Sequence, residues 1–304
     1  MLYHKAMGSG QIQTIPHLSN PLLLIPGGTS QKHGLISIAR YLHKGNNNRY
    51  VGDFEIGNRE KFVENFKKRS GNMASLHYSR EFGSFEQNAE EIKAAIDSIR
   101  EAAGSDKVDI VAECKGAIET REYLRKGGDH IGNLILLVPP NHGIPIGIGL
   151  LWPFAKIQKF IHVSLPSVRG YALTPETQKA ILDFRPDFHF RKWHTNRYFK
   201  KLNSPENLES EKKKTQTLTV LAGSDIRHLK GKHFPGIPGK WLKGDGLVPS
   251  WSAKLPNAEN YFIHGKEYIH AEFKFSPVVH AKIAEILTGT PMPEGMSEQI
   301  VKME

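Results

Sequence analysis

Residues 107–127, KVDIVAECKGAIETREYLRKG, constrain the fold of this chain more than any other stretch. Val108, Ile110 and Ala112 alternate with Lys107, Asp109 and Val111, the pattern of a short strand. A tight turn follows, Ala112-Glu113-Cys114-Lys115-Gly116, and then a helix through Ile118, Tyr123 and Leu124 that the pair Gly127-Gly128 closes. A strand, a sharp turn with a nucleophile at its apex and a helix make a nucleophile elbow. Small residues two places before and after the apex, Ala112 and Gly116, have a steric reason, because such a turn brings neighbouring backbones close together. Cys114 at the apex is the only cysteine in the chain. By composition alone a lone cysteine reads as a small buried hydrophobe. The strand–turn–helix context makes it a candidate nucleophile instead.

This segment resembles the elbow of the α/β-hydrolase superfamily, in its lipase-like branch, and the resemblance extends from about residue 20 to about residue 290. The lipase pattern is Gly-x-Ser-x-Gly, whereas this chain has Ala-x-Cys-x-Gly. Some members of the superfamily, such as dienelactone hydrolases and polyhydroxyalkanoate synthases, carry cysteine there. The resemblance implies a mostly parallel, doubly wound α/β sheet with a helical lid or cap inserted in it.

The rest of the chain reads in keeping with that expectation. Residues 21–25, PLLLI, have the character of a buried strand and run into Pro26-Gly27-Gly28-Thr29-Ser30. In lipase-like relatives the loop at this place supplies one oxyanion-hole N–H, which makes Gly28 or Thr29 the first donor and Lys115, after the nucleophile, the second. Helices are expected over 34–43 and 59–69, and strands over 50–56 and 73–78. Ser84-Phe85-Glu86-Gln87 is a capping-box pattern opening a helix in which Ile92, Ala95, Ile96, Ile99 and Ala103 recur at helical spacing. Residues 131–138 read as another buried strand, ending at Pro139-Pro140-Asn141-His142-Gly143, where His142 is a turn residue. Strands alternating with helices indicate a parallel sheet covered on both faces.

Residues 144–215 read as the lid or cap, within a single domain spanning 1–304. The stretch 144–163 is apolar, yet Pro145, Pro153, Lys156, Gln158 and Lys159 interrupt it too often for a membrane span. Residues 184–201 interleave aromatics with cations, as an amphipathic surface helix does, and 203–215 read as a polar connection. The sheet resumes at 218–222, and 259–263 is expected to be its last strand, before a final helix at about 277–288.

Two segments in the last third complete a catalytic set in the resemblance. Gly244-Asp245-Gly246-Leu247-Val248-Pro249 resembles the segment that carries the acid of lipase-like triads. His270, past the last expected strand and before the last helix, stands where those relatives keep their base. The order Cys114, Asp245, His270 is then nucleophile, acid, base. Asp225 is the rival acid, since it also follows a strand end, and Asp245 beside Gly246 could equally be a turn residue. His264 and His280 are rival bases. Beside the sulfur, Lys115 would favour the thiolate and Glu113 would oppose it.

These features indicate an acyl hydrolase or acyltransferase that takes a small-molecule ester or thioester, with no cofactor and no metal. A catalytically retired relative used as a binding module is one alternative, against which the Asp and His candidates argue, and a basic membrane-surface or nucleic-acid-binding protein is the other. The 304 residues carry a formal net charge of +10, which favours anionic partners, an anionic lipid surface among them. The cations are spread out and no nucleic-acid motif accompanies them. One cysteine excludes an internal disulfide, and residues 1–20 hold no run apolar enough for a signal peptide, so a cytoplasmic location is expected. The oligomeric state is not legible in the sequence.

Overall fold

The computed structural model describes residues 14–28, 34–80, 83–144, 187–189, 192–194, 197–223, 244–245, 248–264, 270 and 272–303. Their strands are β1 (Leu22–Ile25), β2 (Tyr50–Phe54), β3 (Met73–Leu76), β4 (Val108–Glu113), β5 (Ile131–Leu137), β6 (Asp187–His189), β7 (Lys192–His194), β8 (Thr217–Gly223), β9 (Glu259–Ile263) and β10 (Ile300–Met303). The helices are α1 (Ile36–Leu42), α2 (Arg59–Lys68), α3 (Phe85–Ala103), α4 (Lys115–Arg125), α5 (Arg197–Leu202), α6 (Pro205–Lys214), α7 (Ser250–Ala253) and α8 (Pro277–Thr288).

Eight strands form one sheet in the order β10-β9-β8-β5-β4-β1-β3-β2, parallel throughout except for β10. The central strands are apolar on both faces because both faces are covered. Leu23 and Ile25 of β1 enter one core with Phe62, Phe66, Ile92 and Ile96 of α2 and α3. Leu22 and Leu24 enter the opposite core with Ile38 and Leu42 of α1 and Val279 and Ile283 of α8. The chain leaves β1 toward β3 and β2 on one side, then returns to β4 and continues toward β5 on the other. The ends of β1 and β4 therefore flank a switch point, where a crevice opens outside the carboxyl ends of a parallel sheet.

Local chemistry accounts for the best-defined helix ends. Ser84 accepts from the Gln87 N–H while Gln87 reaches back to the Ser84 N–H, so the expected capping box is present, and Gly104 closes α3 in the left-handed conformation (φ 63°). Helix α8 starts on the Ser276 side chain with Pro277 in its first turn.

Three expectations need correction. The strand at 259–263 is not the last: β10 pairs antiparallel with β9 at the sheet edge. Residues 184–201 are not one helix: β6 and β7 form an antiparallel pair, and the helix among the described residues begins at Arg197. The polar connection at 203–215 contains α6, whose Ser204 cap and Pro205 in the first turn are a start signal that its hydrophilic composition masked. Helix α6 packs on α4. There Arg121, fully buried, donates from Nε to Glu211 (2.9 Å), from Nη1 to Asn141 (3.1 Å) and from Nη2 to the Leu202 carbonyl (3.3 Å). Of the stretch read as an apolar lid, Ile144 packs at the edge of the core, and 145–163 lie outside the described residues.

Candidate active site

Cys114 stands between β4 and α4 with φ 49° and ψ −113°. A non-glycine side chain rarely adopts that backbone, and it persists only where the surroundings hold it. Here the Cys114 N–H donates to the Leu137 carbonyl at the end of β5 (2.9 Å), and its own carbonyl accepts from Ala117 in the first turn of α4 (3.2 Å). The need for a small residue at 116 is physical. A Cβ on Gly116 would lie 2.6 Å from the Pro26 carbonyl oxygen and 2.8 Å from Ile25 Cγ2. The turn thereby lifts Cys114 out of the strand line and leaves its side chain partly exposed at the crevice, beside the start of the loop after β1.

His270 joins this sulfur to Asp245. His270 Nδ1 donates to Asp245 Oδ2 at 2.7 Å, and the His270 backbone N–H donates to the Asp245 carbonyl at 2.9 Å. The other carboxylate oxygen, Oδ1, accepts from the Val248 N–H at 2.7 Å, so the turn that sequence reading could not distinguish from a catalytic role also aims the carboxylate. With Nδ1 engaged, the Nε2 edge is left for Cys114, which lies within hydrogen-bonding reach of the ring. Burial by itself would push the His270 pKa down. The Asp245 carboxylate and the Cys114 sulfur outweigh it and hold the imidazole well above its ordinary value.

The donors expected for an oxyanion are arranged as follows. Lys115 is the first residue of α4, whose leading N–H groups have no acceptor within the helix. Gly27, rather than Gly28, has its N–H taken, by Glu113 Oε2 at 3.2 Å. Gly28 stands next in the loop, and Thr29 lies outside the described residues, as does Asp225. The Lys115 side chain does not face the sulfur: its ammonium is buried against Glu119, 5.7 Å from the Phe85 ring centroid. Glu113 is paired too, with Lys274 Nζ 3.3 Å from its Oε1, a partner that nothing in the local sequence indicated.

The rival histidines are occupied elsewhere. His280 is fully buried in α8, donating from Nε2 to the Lys274 carbonyl (2.7 Å), with its ring 5.5 Å from that of Tyr41. His264 is exposed at the end of β9, where its N–H donates to the Gln299 carbonyl. His142 is a turn residue, its N–H on Ser252 and its ring against Lys254 and Asn203.

No family model matches the sequence, nor does any curated protein. Solved structures do match. The product of gene lin2722 from Listeria innocua is similar at 14% identity over 90% of this chain and 96% of that one, with a TM-score of 0.50. Phospholipase PlaB from Legionella pneumophila is similar at 13% identity over 91% of this chain and 60% of that one, also with a TM-score of 0.50. Carboxylesterase CesB from Bacillus subtilis aligns at 12% identity over 91% and 87%, with a TM-score of 0.42. The chain has the α/β-hydrolase fold. On that α/β-hydrolase sheet the cysteine elbow follows β4, the loop that begins at Pro26 follows β1, and Asp245 and His270 follow β8 and β9. Among the described residues no helix is long and apolar enough to cross a membrane, and no group of His, Cys, Asp and Glu is arranged to hold a metal ion.

Proposed function

We propose that this chain is an acyl hydrolase or acyltransferase that works through a covalent acyl-enzyme on Cys114, with His270 as base and Asp245 as the acid that orients it. The observation that carries this reading is the contact chain Asp245–His270–Cys114, with 2.7 Å between Oδ2 and Nδ1 and the sulfur at the other edge of the ring. An imidazole held protonated beside a thiol favours the thiolate–imidazolium pair, the attacking form of cysteine.

The chemistry follows from these positions. Sγ attacks the carbonyl carbon of an ester or thioester, and the carbonyl electron pair moves onto oxygen. Backbone N–H groups of Lys115 and of the Gly28–Thr29 loop would stabilise that oxyanion. As it collapses, the bond to the leaving alkoxide or thiolate breaks, and the leaving group takes the proton from His270 Nε2. The acyl group is then a thioester on Cys114. His270 next removes a proton from water or another acceptor as it attacks the thioester carbonyl. The thiolate departs with the electron pair, releasing acid or transferred acyl product. Asp245 keeps the proton of the neutral ring on Nδ1 and stabilises the imidazolium. The segment 144–215 is read as the cap over a hydrophobic acyl group.

Intact-mass measurement after exposure to p-nitrophenyl esters and acyl-CoA thioesters of graded length tests this. An acyl adduct on the wild-type protein, absent from Cys114→Ala, supports the acyl-enzyme, and the best-labelling chain gives the length preference. A folded wild-type protein that takes no acyl group from any of them would make this a binding module.

A further inference from the structure

The residue before the proposed nucleophile is a buried glutamate. Glu113 ends β4 with its side chain 5% exposed. A carboxylate there is costly to bury and opposes a thiolate on the next residue. Its contacts supply a reason for it. Oε2 accepts from the Gly27 N–H at 3.2 Å, in the loop leading to Gly28. Lys274 Nζ lies 3.3 Å from Oε1, and Lys274 belongs to the 3-10 turn Phe273–Phe275, shortly after His270. The Lys274 carbonyl in turn accepts from Ser37 Oγ of α1 (2.8 Å) and from His280 Nε2 of α8 (2.7 Å), which anchors that turn to the core. One carboxylate thus joins the elbow, the loop after β1 and the segment after His270. Its fit is close: a Cβ on Gly27 would lie 3.1 Å from Cys114 Cβ and 3.4 Å from Glu113 Oε2.

We infer that Glu113 is a positioning residue of this site and Lys274 its charge partner, an inference that rests on Cys114 being the nucleophile. The carboxylate takes up the Gly27 N–H and so fixes the loop in which Gly28 stands as oxyanion donor. The ammonium cancels a charge that would otherwise work against the thiolate. Among the described residues, the other charged groups beside the sulfur are committed: His270 with Asp245, and Lys115 turned to Glu119. His280 is buried behind Lys274, its pKa pushed down to about 4 by burial, and it adds no charge near neutrality.

Two measurements separate this from a merely structural role. The first is the rate of Cys114 alkylation by iodoacetamide against pH, which needs no knowledge of the substrate. Lys274→Met should move the midpoint up, slowing alkylation about tenfold below it, and Glu113→Gln should move it down. The double variant should return near wild type, because opposite charges are removed together. The second is turnover of the best-labelling ester. Glu113→Ala frees the loop and should lower kcat about 100-fold, the scale of one lost oxyanion donor, with KM little changed. Glu113→Gln keeps an acceptor for Gly27 and should recover kcat to within about tenfold of wild type. Midpoints that fail to move in opposite directions, or a Gln variant as impaired as the Ala variant, would overturn the inference while leaving Cys114 as nucleophile. A wild-type protein that alkylates like a free thiol and takes no acyl group would overturn the proposed function itself.

Discussion

Asp245→Asn asks whether the carboxylate sets the proton on His270, and the geometry fixes what the replacement does. Oδ1 accepts from the Val248 N–H at 2.7 Å, so an asparagine must keep its single oxygen there. Its amide N–H₂ then faces His270 Nδ1, where the carboxylate accepted a hydrogen bond at 2.7 Å. Two donors cannot share that contact, so the neutral ring moves its proton to Nε2 and can no longer take one from Cys114. A hydrogen bond to a charged group contributes about 1.5–3 kcal/mol, which is about 10- to 150-fold in the competent population. Acylation should fall by at least that factor. The sign of the pH effect follows from the cause: burial alone lowers the His270 pKa, and Asp245, with Cys114, raises it well above its usual value. A raised folded-state pKa contributes stability that is present below about pH 6.5 and lost as pH rises through the folded value. The variant should therefore lose stability mainly on the acid side and show its alkaline activity limb at lower pH. Stopped-flow acylation with a p-nitrophenyl ester, beside urea denaturation at several pH values, measures both. Acylation within twofold of wild type by a folded variant would refute the assignment of Asp245 as the acid.

Two further outcomes follow from packing. Gly116→Ala should cost about 1–3 kcal/mol in urea denaturation, because its Cβ would meet the Pro26 carbonyl at 2.6 Å and the Ile25 carbonyl at 3.1 Å, while Gly57→Ala, with open space around it, should change stability by under about 0.5 kcal/mol; equal costs would refute the steric account of the elbow. His280, fully buried, has its pKa pushed down to about 4 by burial, with the Lys44 charge adding to the effect, so the unfolded chain takes a proton below about pH 6.5 that the native protein refuses until about pH 4. His280→Asn should remove roughly 3 kcal/mol of the wild-type stability loss between pH 7 and pH 4, and identical acid limbs in the two proteins would show that His280 is not the group responsible.

Much of this protein was legible because its signals are local. The alternation before Cys114, the small residues at 112 and 116, the Ser84 capping box and the Pro277 helix start each act within a few residues, and each element formed where that chemistry put it. Short, solvent-facing elements gave weaker local signals. Strand β10 has three exposed residues and is held by pairing with β9 and by Ile300 packing on the core, and α6 reads as polar because its buried Glu211 looks like any surface glutamate. In α4, Arg121 and Glu122 have the composition of a solvated face and are buried, because α5 and α6 pack over that helix. Long-range partners were decided by the sheet alone. Asp245 and His270 lie 25 residues apart in sequence, and Glu113 and Lys274 lie 161 apart. Residue order named the first pair as candidates, but contact between side chains depends on which strand ends stand side by side. The order β9-β8-β5-β4-β1 brings them together, and no periodicity within a segment encodes that order.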